Sequence, residues 1–180
     1  PDHVVVSSLN MAPTANAGLD QLVVVNHAAQ LDGLSSFDPD LDPLSWQWTM
    51  ESVPTGSMAT IAGATSGTPT FTPDLAGTYE IRLVVDDGFS ASPADSVTLV
   101  AVPAAEFAQI QLKAACSQVG LLAASSFDAP GHRKSICNQI AQITQFIQRN
   151  DVGQARLHLT ELITRVDGWT LRNALDLKGL

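Results

Sequence analysis

The feature that most constrains this chain is a change in hydrophobic period near residue 103. Before that point Gly, Pro, Asp or Asn interrupts the sequence at intervals of roughly 8 to 12 residues, and short β-rich runs lie between the breaks, as in an all-β sandwich. The runs fall at 4–8, 22–26, 28–31, 44–50, 59–62, 69–72, 78–86 and 96–102. In 44–50, Leu44, Trp46 and Trp48 share one face, and Ser45, Gln47 and Thr49 the other. In "GTYEIRLVVDDG", Tyr79, Ile81, Leu83 and Val85 share a face that must be buried, with Glu80 and Arg82 opposite. After "VPAAEF" the period becomes 3.6. Ile136, Ile140, Ile143 and Ile147 make one helical stripe, and Val152, Ala155, Leu159, Leu162 and Val166 make another. Asn150-Asp151 supplies a helix stop followed by an N-cap. An earlier helix spans roughly 105–124, and 169–177 adds a short last one. The expected fold is thus two domains: a β-sandwich over 1–102 and a small three- or four-helix bundle over 103–180.

Charge follows the same division. Residues 1–102 carry twelve Asp or Glu against one basic residue, Arg82, a balance of −11, whereas 103–180 balance at +2. An acidic first half excludes nucleic acid and anionic membrane as its partners, because both require Lys/Arg surfaces, and it suits a cation. Lys is absent before Lys113, which excludes a side-chain amide crosslink in the sandwich. No apolar run reaches the roughly 20 residues that span a bilayer, so membrane insertion is not expected. The start at Pro1, with neither an initiator Met nor a signal-like segment, suits a processed protein or a piece of a longer one. The two cysteines, Cys116 and Cys137, fall on the first and second helices, either as a disulfide stapling a small bundle or as two buried thiols.

Within "LDGLSSFDPDLDPLSWQW", Asp38, Asp40 and Asp42 alternate with other residues and no base lies among them. An EF-hand loop would require Gly at position six and Glu at position twelve, where Pro43 and Thr49 stand, so that motif is excluded. A hard cation can nevertheless collect oxygens from separate loops at one end of a sandwich, here Asp38 and Asp40 with Asp86 or Asp87. The alternative is a solvated acidic turn built by Asp and Pro.

Five motifs occur in order: N-x-x-P-x-A-x-A-G from Asn10, L-D-G-x-x-S-x-D-P-D from Leu31, W-x-W, F-x-P-D-x-x-G-x-Y from Phe71, and V-x-D-D-G from Val84. Together they resemble the PKD (polycystic kidney disease) domain over about 10–102. The resemblance implies an Ig-like sandwich of seven to nine strands. It also implies a secreted or cell-surface setting, with the domain serving as an interaction or spacer module that some bacterial exoenzymes carry beside their catalytic domains. Some bacterial members bind calcium through an Asn at the domain start, two Asp of the S-x-D-x-D loop and an Asp after the long strand. Those positions correspond to Asn10, Asp38, Asp40 and Asp86, with Asp87 beside it, as ligands of a structural calcium ion; Asp42 is then a solvated turn residue. Many members have Gly where Leu41 stands, which alters the loop backbone. "ICNQIAQITQFIQRNDVGQARLHLTELITRV" resembles the FIMAH-like helical modules of secreted bacterial proteins.

Catalysis finds little support in the residues. No G-x-S-x-G elbow or clustered histidine occurs; His3, His27, His132 and His158 are scattered, with His158 expected on an exposed helix face. Cys137 lies near His132 but beside the Ile136 stripe, which favours a disulfide or core role over a thiolate pair. Carboxylates sit in turns rather than facing across a pocket. Strand alternation makes Trp48 a core anchor rather than a sugar-stacking platform, while Trp169 has the better chance of exposure. The expected role is a non-catalytic extracellular module pair, prokaryotic in origin, acting in adhesion or attachment to protein or polysaccharide at a cell surface. One alternative is self-assembly into a filament or sheath through the apolar strand 4–8. The other is service as accessory domains of a secreted hydrolase.

Overall fold

A computed structural model describes residues 9–121 and 132–167 of the 180-residue chain. The chain divides between Pro103 and Ala104 into two compact units. The first contains β1 (Gln21–Val24), β2 (Ala29–Gln30), β3 (Ser45–Ser52), β4 (Ile61–Ala62), β5 (Thr70–Phe71), β6 (Gly77–Asp86) and β7 (Asp95–Val102). The second contains α1 (Ala104–Leu121), α2 (His132–Gln148) and α3 (Val152–Asp167). The expected sandwich followed by helices is therefore observed. The strand expected at 4–8, with the filament reading that depends on it, the helix expected at 169–177 with Trp169, and His3 all lie outside the described residues.

The strands form a four-stranded sheet in the order β1-β7-β6-β3 and a three-stranded sheet in the order β2-β5-β4. β6 is central because its period-2 pattern leaves one face wholly apolar: Tyr79, Ile81, Leu83 and Val85 are all buried. β3 pairs with it antiparallel, Trp48 opposite Leu83 and Trp46 opposite Val85, while β1 runs parallel to β7. Trp48 is buried with Leu31, Phe71 and Leu99, whereas Trp46 and Leu44 are only half-buried against the same core. The close fit of both indoles depends on Gly33, where an added Cβ would stand 2.9 Å from Trp48 and 3.1 Å from Trp46. Each indole N–H is satisfied by a loop carbonyl, Trp46 by Gly33 and Trp48 by Ser66.

At the start of β6 the Tyr79 hydroxyl reaches back to the Leu75 carbonyl at 2.9 Å and to Asp74 Oδ1 at 2.9 Å, the tyrosine corner of Ig-like sandwiches. The Ser57 hydroxyl and the Met58 backbone N–H also donate to Asp74. These donors, Ser57 first and Met58 second, stabilise the ionised form and hold the Asp74 carboxyl at about 2, below the ordinary aspartate range. A lowered folded pKa stabilises the sandwich above the unfolded value of about 4, and that contribution is lost as pH falls through about 2. Ser57→Ala is expected to raise the Asp74 pKa and move acid unfolding to higher pH. NMR titration of the Asp74 carboxyl carbon checks this; an unchanged midpoint in the variant would show that Ser57 is not the main cause.

In the second unit Leu112, Val119, Ile136, Ile140, Ile143, Ala155 and Leu162 form the core, with Ile147 and Leu159 packed against it. Val152, expected on the buried stripe, is exposed because it occupies the first turn of α3. Between α2 and α3, Asn150 takes a left-handed φ of 57°. Its N–H bonds to the Ile147 carbonyl, and that of Asp151 to Phe146, which together make a Schellman ending. Asp151 then caps α3 by accepting from the Gln154 N–H at 3.1 Å. A Cys116–Cys137 disulfide joins α1 to α2, so Cys137 is not a thiolate nucleophile. His158 departs from expectation: it is half-buried, stacked on Phe146 with ring centroids 5.0 Å apart and with Nδ1 3.3 Å from Glu161.

Candidate metal centre

Two acidic loops meet at one end of the sandwich. The first, between β2 and β3, carries Asp38, Asp40 and Asp42; the second, between β6 and β7, carries Asp87, with Asp86 closing β6. Residues 10 and 11 tie the loops together. The Asn10 side-chain amide donates to Asp87 Oδ2 at 2.9 Å and to the Ser90 hydroxyl at 3.1 Å, and the next backbone N–H, of Met11, donates to Asp40 Oδ2 at 2.7 Å. Asn10, Asp38, Asp40 and Asp87 are therefore neighbours in space although they come from three separate segments.

Their states differ. Asp38 is only 5% exposed, and its Oδ1 accepts from the backbone N–H groups of Asp40 and Asp42 at 2.8 and 3.2 Å. Its Oδ2 is buried and has no hydrogen-bond partner among the described residues. A buried carboxylate oxygen left unmatched costs free energy, which a bound cation would offset. Asp87, also buried, is satisfied: Oδ1 accepts from Phe89 N and Ser90 N at 2.7 Å each, and Oδ2 from Asn10 and Ser90. The Asn10 amide is the main reason that the Asp87 carboxyl is held at about 2, against the opposing effect of burial. Asp86, half-buried opposite Ser45 in the β3–β6 ladder, turns Oδ1 onto the Gly88 N–H at 2.7 Å.

The sequence set Asp42 aside as a turn residue. The structure puts it with the others: one carboxylate oxygen from each of Asp38, Asp40 and Asp42 lies within 4.8 Å of the rest. In an extended run, alternate residues are spaced about 6.6 Å apart, so this convergence requires a tight turn. Leu41 provides it, with a left-handed φ of 67° and its N–H bonded to the Asp38 carbonyl at 3.2 Å. This is the position where the family resemblance leads one to expect Gly. The departure changes the residue but not the backbone conformation that glycine favours. Around the acidic residues the loop tips expose large apolar side chains, Leu9, Met11, Leu41 and Phe89.

Comparison with known proteins assigns the sandwich. A family profile described as the PKD domain matches residues 10–102. Among solved structures, a nucleoside hydrolase-related hypothetical protein from Saccharophagus degradans, associated with carbohydrate metabolism, is 21% identical with a TM-score of 0.45. That similarity covers 52% of this chain and 26% of the other, so the chain spans about a quarter of that protein's length. The PKD domain of KIAA 1837 protein is 28% identical with a TM-score of 0.43, covering 54% of this chain and 92% of that one. The PKD domain of human KIAA0319 is 18% identical with a TM-score of 0.43, covering 58% and 93%. No curated protein matches the sequence. PKD domains are non-catalytic modules and are usually extracellular. With the profile spanning just over half of the chain and all seven strands inside it, the chain belongs to the PKD domain family.

Proposed function

We propose that this chain is a non-catalytic attachment module of a secreted or cell-surface prokaryotic protein, with a sandwich fixed by one structural calcium ion and an interaction surface formed by the loop end around that ion. The observation that carries this reading is the pairing at one end of a buried, unmatched Asp38 oxygen with exposed apolar tips at Leu9, Met11, Leu41 and Phe89. Asp38 and Asp40 offer the hard oxygens that calcium takes, and Asn10 has a side-chain oxygen that its own amide bonds leave available. Exposed apolar groups held on ordered loops are what a protein or polysaccharide surface can grip. The disulfide of the helical unit suits an oxidising compartment, and its helices, with their FIMAH-like resemblance, serve as a second module of the same secreted protein.

A cavity of about 450 Å³ is lined by Gln139, Leu157, Thr160, Glu161 and Thr164. The Thr160 and Thr164 hydroxyls each donate to a carbonyl of their own helix. Among the described residues, no helix is long and apolar enough to cross a membrane.

Co-sedimentation of the full chain with cellulose, chitin and collagen particles tests the reading. Retention on at least one of these in calcium is expected, reduced by EDTA and by the double substitution Leu41→Asp, Phe89→Asp. Retention on none of them, or retention that neither EDTA nor the double substitution reduces, would count against attachment through this end.

A further inference from the structure

The DPDLD loop carries Asp38, Asp40 and Asp42. We infer that Asp42 is a direct ligand of the calcium ion, the third carboxylate of a single-loop set with Asp38 and Asp40, and that Asp87 is a positioning residue that acts through Asn10. The inference rests on the calcium reading above and changes its ligand set.

Two independent observations carry it. Oxygens of Asp38, Asp40 and Asp42 converge to within 4.8 Å, a separation that one cation bridges when it holds each oxygen at about 2.3 to 2.6 Å. Within that group, Asp38 is 95% buried by its 5% exposure and keeps Oδ2 without a hydrogen-bond partner among the described residues. Three converging carboxylates, one of them on a buried residue that keeps an unmatched oxygen, suit a hard divalent cation better than a set of mutually satisfied turn residues. Asp87 differs in kind, because four donor contacts already occupy its two oxygens. Ligating through Asp87 would break bonds that hold the 87–90 turn and the Asn10 amide in place. Ligating through Asp42 breaks none of the hydrogen bonds that shape its loop, since its N–H rather than its carboxylate bonds to Asp38.

A structural and a ligating aspartate respond oppositely to metal. Without calcium, Asp42 adds like-charge repulsion beside Asp38 and Asp40, so Asp42→Asn should melt at or above the wild-type temperature in EDTA. In excess calcium the order should reverse. Calorimetric titration of the full chain should show one calcium per chain, with affinity reduced roughly ten- to a hundredfold by Asp42→Asn, abolished by Asp38→Asn and unchanged by Asp20→Asn on a distant loop. With terbium as probe, Asp42→Ala should add about one metal-bound water by luminescence lifetime, since a lost oxygen ligand is replaced by solvent. If the wild type binds and Asp38→Asn abolishes binding while Asp42→Asn and Asp42→Ala match the wild type, the assignment of Asp42 is overturned and the calcium site stands. If the wild type itself takes up neither ion, the calcium reading falls and the assignment with it.

Discussion

Trp48→Ala is expected to destabilise the sandwich by about 3–5 kcal/mol, a large share of the 5–15 kcal/mol that holds a typical domain folded. The size follows from position. Trp48 is 2% exposed at the centre of β3, opposite Leu83 on the central strand, and packs among Leu31, Phe71 and Leu99 between the two sheets. Truncation leaves a cavity walled by other strands, which cannot collapse into it without breaking their ladders, and it strands the Ser66 carbonyl that the indole N–H satisfies. Trp46→Ala serves as the internal comparison. Trp46 sits two residues away on the same face but at the margin of the core, half-buried against the Gly33 and Gly67 backbone, so water can fill part of the space it vacates. Its cost should be about 1–2 kcal/mol. Urea unfolding of both variants, followed by far-UV circular dichroism, separates the two. Equal losses would mean that the margin of the sandwich is packed as tightly as its centre.

The contrast between these tryptophans marks how far the sequence could be read. Alternation placed both indoles on the core face, because a strand with one buried face must repeat every two residues; how deeply each is buried depends on its cross-strand partner, which sequence does not contain. β6 was legible for the same reason and over nearly its full length. β2, β4 and β5 are two residues each, too short for any period, and only the turn residues around them located them. The parallel pairing of β1 with β7 brings together residues about 80 positions apart, so no local pattern announces it. At the helical hairpin the chemistry is local, and Asn150-Asp151 could be read directly as stop and cap. The acidic site falls between these cases. Asn10, Asp38 and Asp40 were legible through family motifs, whereas the inward turn of Asp42 depends on a left-handed leucine, a conformation that leucine seldom adopts and therefore does not signal. Asp86 and Asp87 could not be told apart as letters. Strand register distinguishes them: Asp86 is still in the β3–β6 ladder, while Asp87 falls in the turn where the Asn10 amide meets it.

Stripping the protein with EDTA and then adding calcium to about a hundred times its dissociation constant is expected to stabilise the sandwich by about 2.7 kcal/mol, since an ion that binds only the folded state contributes by mass action. For a unit of this size each kcal/mol moves the melting temperature by about 4–8 °C, so the expected rise is roughly 10 to 20 °C. The sign comes from the site itself. Three carboxylates within 4.8 Å, in a half of the chain with one basic residue, repel one another when metal-free, and binding removes that repulsion while matching the buried Asp38 oxygen. General screening predicts something different. At about 0.15 M salt, charges are already screened beyond roughly 8 Å, so added sodium chloride should reproduce little of the shift if the ion sits among the carboxylates, and most of it if these are surface charges only. Magnesium should also fall short of calcium, because it demands octahedral geometry at about 2.0–2.1 Å and gives up its waters reluctantly. The helical unit supplies an internal control, since its core is formed by Leu112, Ile136, Ile140 and Leu162 and none of the site residues belongs to it. A melt followed by tryptophan fluorescence and far-UV circular dichroism should therefore show calcium moving the β transition and leaving the helical one in place. A shift matched by sodium chloride would rule out a specific ion at the DPDLD loop.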